Sequence, residues 1–250
     1  MPFRILHSVI GLLREGHITP IKPVKVFDAS LVQDAFRHLQ QGQHIGKIVI
    51  ALRDIDGSVK SGITPAKTAK QLKLDKTASY LLVGGLGGIG RAVSRHLVEH
   101  NARCLVFLSR NAGSGPEDHD FIEELKSMGC DVRLVKGSVT NIDDVSRAVH
   151  QARNLKGIMQ CSMVLQDQAF PRMSLFDWKT ATAPKVEGTW NLHNATLSAG
   201  IDLDFFVLFS SMSGVTGQAG QANYAGANTF LDSFVQYRTH LGLAAASIDM

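Results

Sequence analysis

The chain has 250 residues, of which 44% are hydrophobic and 19% charged, with a formal net charge of +4 at pH 7. This composition excludes an intrinsically disordered chain, and the absence of any run of about 18 apolar residues excludes a predicted membrane span. The N-terminus lacks the pattern of a secretory signal, and three widely spaced cysteines fit neither a disulfide framework nor a cysteine zinc site. We therefore expect a cytoplasmic protein without a membrane partner.

The positive charge is concentrated in the first third of the chain. Residues 1–79 carry 12 Lys+Arg against 6 Asp+Glu, whereas residues 80–250 carry 14 against 16. The lysines near residues 60–76 are scattered and lack interleaved aromatic residues, which favours a solvated linker over a nucleic-acid surface. We predict no nucleic-acid partner.

The first 52 residues read as helix, strand, helix, strand. A helical apolar pattern ends at Gly16, an extended segment covers 21–27, and Ser30 is a candidate N-cap for a helix that ends at Gly42. Residues 47–52 form a short apolar strand. Four elements in about 50 residues cannot bury a large core, so this piece is expected to dock on another unit or to be the end of one.

A glycine- and lysine-rich stretch, residues 53–78, is predicted to be a linker to a second region, residues 79–250. Strands and helices alternate there, which predicts a doubly wound parallel α/β sheet. Thr140 with Asp143 resembles a capping box. The predicted strands are 80–83, 104–108, 132–135, 157–160, 205–210 and 245–249, and the predicted helices follow Gly88 and cover 117–128, 141–152, 174–199 and 224–241.

A glycine-rich segment joins the first of these strands to its helix, in the pattern Gly85-x-Gly87-x-x-Gly90. In this context glycines allow a tight turn and let backbone N–H groups approach a pyrophosphate at a helix N-terminus. A glycine-rich turn without a ligand is the alternative. The predicted cofactor-binding residues of this segment are Gly84, Gly85, Leu86, Gly87, Gly88, Ile89 and Gly90.

The end of the second strand points to NADPH. An NAD site usually carries an acid at this position, about 20 residues past the glycines, whereas this chain has Arg110, preceded by Ser109. A guanidinium can bind a 2′-phosphate with paired hydrogen bonds. Arg110 is the predicted selector, Ser109 a helper and Arg91 a weaker candidate, and a solvated arginine at a strand end is the alternative.

The segment from Ser211 to Asn228 carries the catalytic pattern. Tyr224 and Asn228 are four residues apart on a predicted helix and share a face, and Ser211 ends a strand at the edge where α/β folds bind ligands. A phenol is a weak acid at neutral pH unless a cation stabilises the phenolate, and Lys185 on the preceding helix could supply that charge. Ser210 competes with Ser211 and Lys179 competes with Lys185, and Tyr224 could instead be only a helix anchor.

These motifs resemble the short-chain dehydrogenase/reductase family, and more closely the ketoreductase domains of polyketide synthases. Asn228 after the tyrosine and an upstream Lys185 are similar to the synthase type, and the segment 157–167 resembles fungal highly reducing synthases. The resemblance covers residues 78–250. It implies that Ser211 would hydrogen-bond the substrate ketone, Tyr224 would protonate it, Lys185 would hold the nicotinamide ribose and favour the phenolate, and Asn228 would support the proton relay. It also implies that the pro-S hydride of NADPH would attack the carbonyl carbon.

The resemblance also implies adenine contacts from Ser138 and Val139, although Ser138 replaces the aspartate that is frequent there, and Val83 replaces a frequent threonine. Asp167 only partly matches a stereochemical signature of the family. No metal site is predicted, since His96 and His100 lack an evident third ligand.

Residues 1–52 resemble the closing part of a medium-chain enoyl reductase, on segments such as Leu13-Arg-Glu-Gly16 and Gly42-x-His44-x-Gly46. The motif that would bind its NADPH is absent, so we expect no enoyl reduction by this piece. In highly reducing synthases an enoyl reductase directly precedes the ketoreductase, and the order here agrees.

The predicted function is NADPH-dependent reduction of a β-ketoacyl chain held on an acyl carrier protein, beside other synthase domains. The sequence stops before the substrate loop, lid helix and last strand that the resemblance implies, so we expect a C-terminally truncated ketoreductase. The alternatives are a catalytically silent fragment that at most binds NADPH and a free-standing reductase of small ketones, which the enoyl-reductase-like segment disfavours.

Overall fold

The computed structural model describes residues 2–19, 21–42, 44–60 and 72–250, and the chain divides into two units, residues 1–70 and 71–250. The division lies within the predicted linker, whose residues 61–71 are outside the described residues. The domain boundaries at residues 52 and 78 therefore stay predictions. None of the described helices is long and apolar enough to cross a bilayer.

The first unit contains the predicted helix–strand–helix–strand order. Strands β1 and β2 pair in parallel, with Val24 opposite Lys47, and Gly16 and Gly42 take the positive φ that ends the helices before them. Its elements are α1 (Pro2–Arg14), β1 (Val24–Asp28), a short 3₁₀ helix (Ala29–Leu31), α2 (Val32–Gln40) and β2 (Lys47–Ala51).

Two details of this unit differ from the sequence prediction. Ser30 is not the N-cap: Asp28 accepts hydrogen bonds from the backbone N–H and the hydroxyl of Ser30 and caps the 3₁₀ helix. The start of the predicted linker is also ordered against this unit, because Arg53 bridges to Val59 and Lys60 forms ion pairs with Asp28 and Asp54. The Asp28 carboxylate is the better cap because it accepts both bonds at once.

The second unit confirms the predicted doubly wound parallel sheet. All six strands are parallel, in the order β5-β4-β3-β6-β7-β8. Its elements are β3 (Ser79–Val83), α3 (Gly88–Glu99), β4 (Cys104–Ser109), α4 (Pro116–Ser127), β5 (Asp131–Lys136), α5 (Ile142–Gln151), β6 (Leu155–Gln160), a 3₁₀ helix (Phe170–Arg172), α6 (Leu175–Ser198), β7 (Phe205–Ser210), α7 (Ser213–Thr216), α8 (Ala222–His240) and β8 (Ala246–Asp249).

The strand order determines where this sheet can bind a ligand. From β3 the chain winds outward through β4 and β5, then returns to pair β6 on the other side of β3. This reversal is a topological switch point, where parallel sheets leave a crevice at the carboxyl ends of the strands. Apolar side chains fill both faces of the sheet, and Leu81 and Leu82 of β3 are fully buried on opposite faces. The crevice is therefore built on a rigid core.

The predicted capping box at the start of α5 is wrong. Asn141, not Thr140, is the N-cap, and its carboxamide oxygen accepts hydrogen bonds from the backbone N–H groups of Asp143 and Asp144. The Thr140 hydroxyl instead pairs with the hydroxyl of Ser138 at 2.7 Å. The Thr140 hydroxyl therefore bonds to Ser138 and does not cap α5.

Candidate active site

The turn between β3 and α3 is closely packed, and glycine is required at three of its positions. Gly84 has φ +73°. A Cβ on Gly85 would lie 2.6 Å from the Cβ of Leu82 and 2.7 Å from the Phe107 ring, and a Cβ on Gly90 would lie 2.4 Å from the Cα of Gly85. These glycines let α3 lie directly against the strand.

The next two glycines face open space. A Cβ on Gly88 would meet nothing within 4 Å, and one on Gly87 would have only the Gly84 carbonyl oxygen, at 3.5 Å. Both residues line a cavity at the switch point. No described side chain caps the first turn of α3, so its N–H groups face an uncovered helix N-terminus with partial positive charge. The shape and charge fit the pyrophosphate of a dinucleotide.

This difference between the glycines gives a stability prediction. Gly90→Ala should lower the free energy of unfolding by about 1–3 kcal/mol, because the added methyl group overlaps the backbone of Gly85. Gly88→Ala is the matched control in the same helical turn and should be neutral or stabilising by up to about 1 kcal/mol, since alanine loses less backbone entropy. Urea unfolding measures both, and equal losses in the two variants would contradict the packing described above.

A second cavity adjoins the glycine turn on the β4 side. Its walls include Ser109, Arg110, Ser138 and Val139, and it shares Gly84 and Met163 with the first cavity. Within the described ranges the Arg110 guanidinium forms no ion pair. Arg91, the weaker candidate, donates to the carboxylate of Asp118 at 2.8 Å and to the carbonyl oxygen of Leu86, so its guanidinium is already engaged.

The second cavity is also lined by Lys179 and Ser138. Lys179, the rival to Lys185 in the sequence prediction, lines this cavity together with Arg110. The Ser138 N–H donates to the Asp144 carboxylate and its hydroxyl is held by Thr140. The sequence offered no sign that Lys179 and Arg110 line one cavity, because only the fold brings α6 near the end of β4.

Lys185 is the buried cation of the first cavity. Its side chain is 2% exposed, its Nζ donates to the carbonyl oxygen of Phe209 at 2.6 Å, and the same Nζ lies 5.5 Å from the centre of the Tyr224 ring. Burial lowers the pKa of Lys185 to about 8, from an ordinary value of 10.5. The ammonium therefore keeps its proton at neutral pH and loses it as the pH rises through about 8.

Tyr224 lies in the first turn of α8 and lines the same cavity as Lys185. Its hydroxyl contacts the sulfur of Met163 at 3.5 Å, a weak acceptor that no sequence motif indicates. Asn228 is fully buried below it and donates to the Tyr224 carbonyl oxygen at 2.8 Å, while its own carboxamide oxygen has no partner among the described residues. That acceptor remains available to a water or a proton carrier.

Ser211 lies at the end of β7, but its hydroxyl does not point to the tyrosine. It donates to the carbonyl oxygen of Met250 at 3.2 Å and accepts from the N–H of Ser213. The competing Ser210 lines the cavity, with its hydroxyl on the Asn228 carbonyl oxygen at 3.3 Å. The structure thus brings Lys185 and Tyr224 together and leaves the Ser211 hydroxyl bonded to a backbone carbonyl.

The histidine pair at the C-terminal end of α3 has a third potential metal ligand, Glu99, that the sequence did not indicate. The potential ligand atoms of His96, Glu99 and His100 all lie within 4.8 Å of one another. The group sits on the surface at the C-terminal end of α3, whereas the glycine turn lies at its N-terminal end. It takes no part in the cavities described above.

Comparisons with known proteins identify the family of the second unit. Residues 78–250 match the family model described as KR domain. The chain is 53% identical over 247 residues to the highly reducing polyketide synthase sphB of Aspergillus fumigatus and 52% identical over 248 residues to lcsB of Purpureocillium lilacinum. These alignments cover 98% and 99% of this chain but 10% of each relative, so the chain spans about a tenth of the length of the curated relatives it matches.

Solved structures give the same result. The first ketoreductase of the tylosin polyketide synthase is 34% identical, with a TM-score of 0.64, over 69% of this chain and 38% of that one. A-type ketoreductases from a modular synthase are 31% identical, with a TM-score of 0.68, over 75% and 40%. Fold and relatives agree, and the chain belongs to the ketoreductase (KR) domain family of polyketide synthases, whose members are oxidoreductases that use a nicotinamide cofactor.

Proposed function

We propose that this chain reduces a β-ketoacyl thioester to a β-hydroxyacyl thioester with NADPH, on a chain tethered to an acyl carrier protein and among the other domains of a synthase. The observation that carries the proposal is the buried Lys185 ammonium, 5.5 Å from the Tyr224 ring, on the wall of the cavity that the glycine turn also lines. A cation beside a phenol makes that phenol a usable proton donor.

In this proposal the two adjoining cavities hold the dinucleotide. Gly87 and Gly88 would take the pyrophosphate at the N-terminus of α3, and Ser109 and Arg110 would take the adenosine ribose with its 2′-phosphate. Ser138 and Val139 would line the adenine. When bound, the nicotinamide supplies the hydride that adds to the ketone carbon.

The chain's own side chains supply the proton and the charge. The Tyr224 hydroxyl gives up its contact with the Met163 sulfur and donates its proton to the ketone oxygen, which becomes the alcohol. The Lys185 ammonium stabilises the phenolate left behind, and the buried oxygen of Asn228 accepts a hydrogen bond from the water that returns the proton. Ser211 donates to the ketone oxygen after its hydroxyl leaves the Met250 carbonyl.

Arg110 carries the prediction on cofactor choice. Arg110→Ala should weaken NADPH binding by about 10–100-fold, the equivalent of losing hydrogen bonds to a charged group, and should leave NADH binding nearly unchanged. Calorimetric titration of both dinucleotides measures the ratio. Arg91→Ala is the control, because its guanidinium is already paired with Asp118 and its loss should not alter the preference. An unchanged preference in Arg110→Ala would refute the role of Arg110.

The function itself is tested by NADPH oxidation with a β-ketoacyl thioester surrogate, or with trans-1-decalone as a simple ketone. We expect turnover with NADPH and identification of the hydroxy product by mass spectrometry. The second candidate, a chain that binds NADPH without reducing a ketone, is favoured by one observation, the engagement of the Ser211 hydroxyl with Met250. NADPH binding by calorimetry without any alcohol formed would select that candidate.

A further inference from the structure

The loop between β6 and α6, residues 161–174, is fastened to the start of α8 by polar contacts. The backbone N–H of Gln168 donates to the carbonyl oxygen of Gly220 at 2.9 Å, and the side chain of Gln221 donates to the carboxylate of Asp167 at 2.9 Å. The same loop carries Met163, whose sulfur touches the Tyr224 hydroxyl. The loop and the tyrosine therefore form two sides of one space.

Asn223 lies at the centre of this attachment. Its side chain is fully buried, and its carboxamide nitrogen donates to the carbonyl oxygens of Gln166 at 2.8 Å and Asp177 at 3.0 Å. Its carboxamide oxygen accepts from the backbone N–H of Tyr224 at 2.8 Å. One side chain thus joins the loop, the first turn of α6 and the backbone of the tyrosine.

The carboxamide of Asn223 suits this position for chemical reasons. It uses both of its N–H donors and one acceptor site, and few side chains of its size offer this combination. An aspartate in its place would set carboxylate oxygens against two carbonyl oxygens. Because its N–H donors are occupied by backbone carbonyls and the residue is buried, Asn223 has no donor left for a substrate.

We propose that Asn223 is a positioning residue of the reaction, which fixes the Tyr224 hydroxyl relative to the loop that faces it. This inference rests on the proposed function, because it assigns to Asn223 the placement of the proton donor. Displacements of about 1 Å in a catalytic group can cost about 100-fold in rate. The residues proposed to bind the dinucleotide lie on the β3–α3 turn, at the end of β4 and after β5. The side-chain hydrogen bonds of Asn223 reach none of them, so cofactor binding should not depend on it.

The test compares Asn223→Ala and Asn223→Asp with the unaltered chain, in the assay for NADPH oxidation with the thioester surrogate. We expect kcat to fall about 10–100-fold in both, with the Kd for NADPH unchanged. Rates are expressed per NADPH-binding site, so any unfolded fraction does not count. Ser79→Ala is the matched control: its buried hydroxyl also joins distant segments, through the carbonyl oxygen of Arg153, but at the opposite end of β3. It should lose stability and keep kcat.

The pH dependence of Asn223→Asp separates positioning from mere stability. Once protonated, a buried aspartic acid can donate one hydrogen bond to a backbone carbonyl, and burial raises the pKa of such an acid. We expect Asn223→Asp to recover part of its kcat, relative to the unaltered chain, as the pH is lowered. Asn223→Ala should show no such recovery. If Asn223→Ala does not fold, the comparison of Asn223→Asp with the unaltered chain across pH still tests the role.

Two results would overturn the inference, and they are distinguishable from failure of the proposed function. If Asn223→Ala and Asn223→Asp keep kcat while Tyr224→Phe loses it, the function stands and the positioning role is wrong. If kcat falls equally in Ser79→Ala, the effect is general destabilisation and the role is likewise wrong. If the unaltered chain binds NADPH but reduces no ketone, the proposed function fails and the role of Asn223 fails with it.

Discussion

Tyr224→Phe is expected to lower kcat/KM for thioester reduction by about 10²–10⁴-fold, the usual contribution of a positioned proton donor. The substitution removes only the hydroxyl, whose recorded partner is the weakly accepting sulfur of Met163. The ring remains, and with it the packing of Lys185 at 5.5 Å, so the free energy of unfolding should change little. Initial rates of NADPH oxidation measure the effect.

The control for this variant is its affinity for the cofactor. NADPH titration should give the same Kd for Tyr224→Phe as for the unaltered chain within about threefold, since a phenol contributes little to binding a dinucleotide that the glycine turn holds. Equal reduction rates in the two proteins would remove Tyr224 from the proposed chemistry.

Lys185→Met is expected to lower the same rate by about 10²–10³-fold, because the buried charge that stabilises the phenolate is lost. In the unaltered chain, the reduction rate should likewise depend on the charge of Lys185, and pH changes that charge. The pKa of Lys185 is lowered to about 8, so activity should decline as the pH rises through about 8 and the ammonium loses its proton. Rates measured across this range, with cofactor saturating, test the prediction.

The same substitution should change how stability depends on pH. Below about pH 8 Lys185 is charged in both folded and unfolded chains, and its burial costs free energy. Between about pH 8 and pH 10.5 the Lys185 side chain is protonated in the unfolded chain and largely neutral in the folded chain. The contribution of Lys185 to the free energy of unfolding therefore rises with pH over this range and is complete above pH 10.5. Lys185→Met should lack this rise.

Lys179→Met provides the matched comparison, since this exposed lysine of the same helix lines the neighbouring cavity. It should keep both the pH-dependent rate and the rise of stability with pH. A Lys185→Met protein that retained both features would show that the titrating group lies elsewhere.

Much of this organisation could be predicted because it depends on local patterns. Alternating strands and helices specify the parallel sheet. The glycines after β3 are required by local packing, since a Cβ atom on Gly85 or Gly90 would lie within 3 Å of other atoms. The sequence singled out Lys185 and left Lys179 as its rival, and Lys185 is the lysine beside Tyr224.

What could not be predicted depends on partners distant in the sequence. Ser211 turns toward Met250, 39 residues away, and Arg91 turns toward Asp118, 27 residues away. Neither orientation has a local signal, because each is set by how strands and helices are packed. Asn223 is similar: only the fold brings Gln166 and Asp177 to its carboxamide. The predicted N-cap of α5 was also wrong, because the Thr140 hydroxyl bonds to the Ser138 hydroxyl and Asn141 caps the helix.

The central claim is that Tyr224 and Lys185 act on a ketone held beside a nicotinamide, and isotope transfer tests it most directly. The chain is incubated with a β-ketoacyl thioester and NADPH deuterated on the pro-S face, and the product is analysed by mass spectrometry. We predict one deuterium on the β-carbon of the hydroxy product, formed by the unaltered chain and not by Tyr224→Phe. Deuterium retained in the cofactor, or an equal yield from both proteins, would contradict the claim.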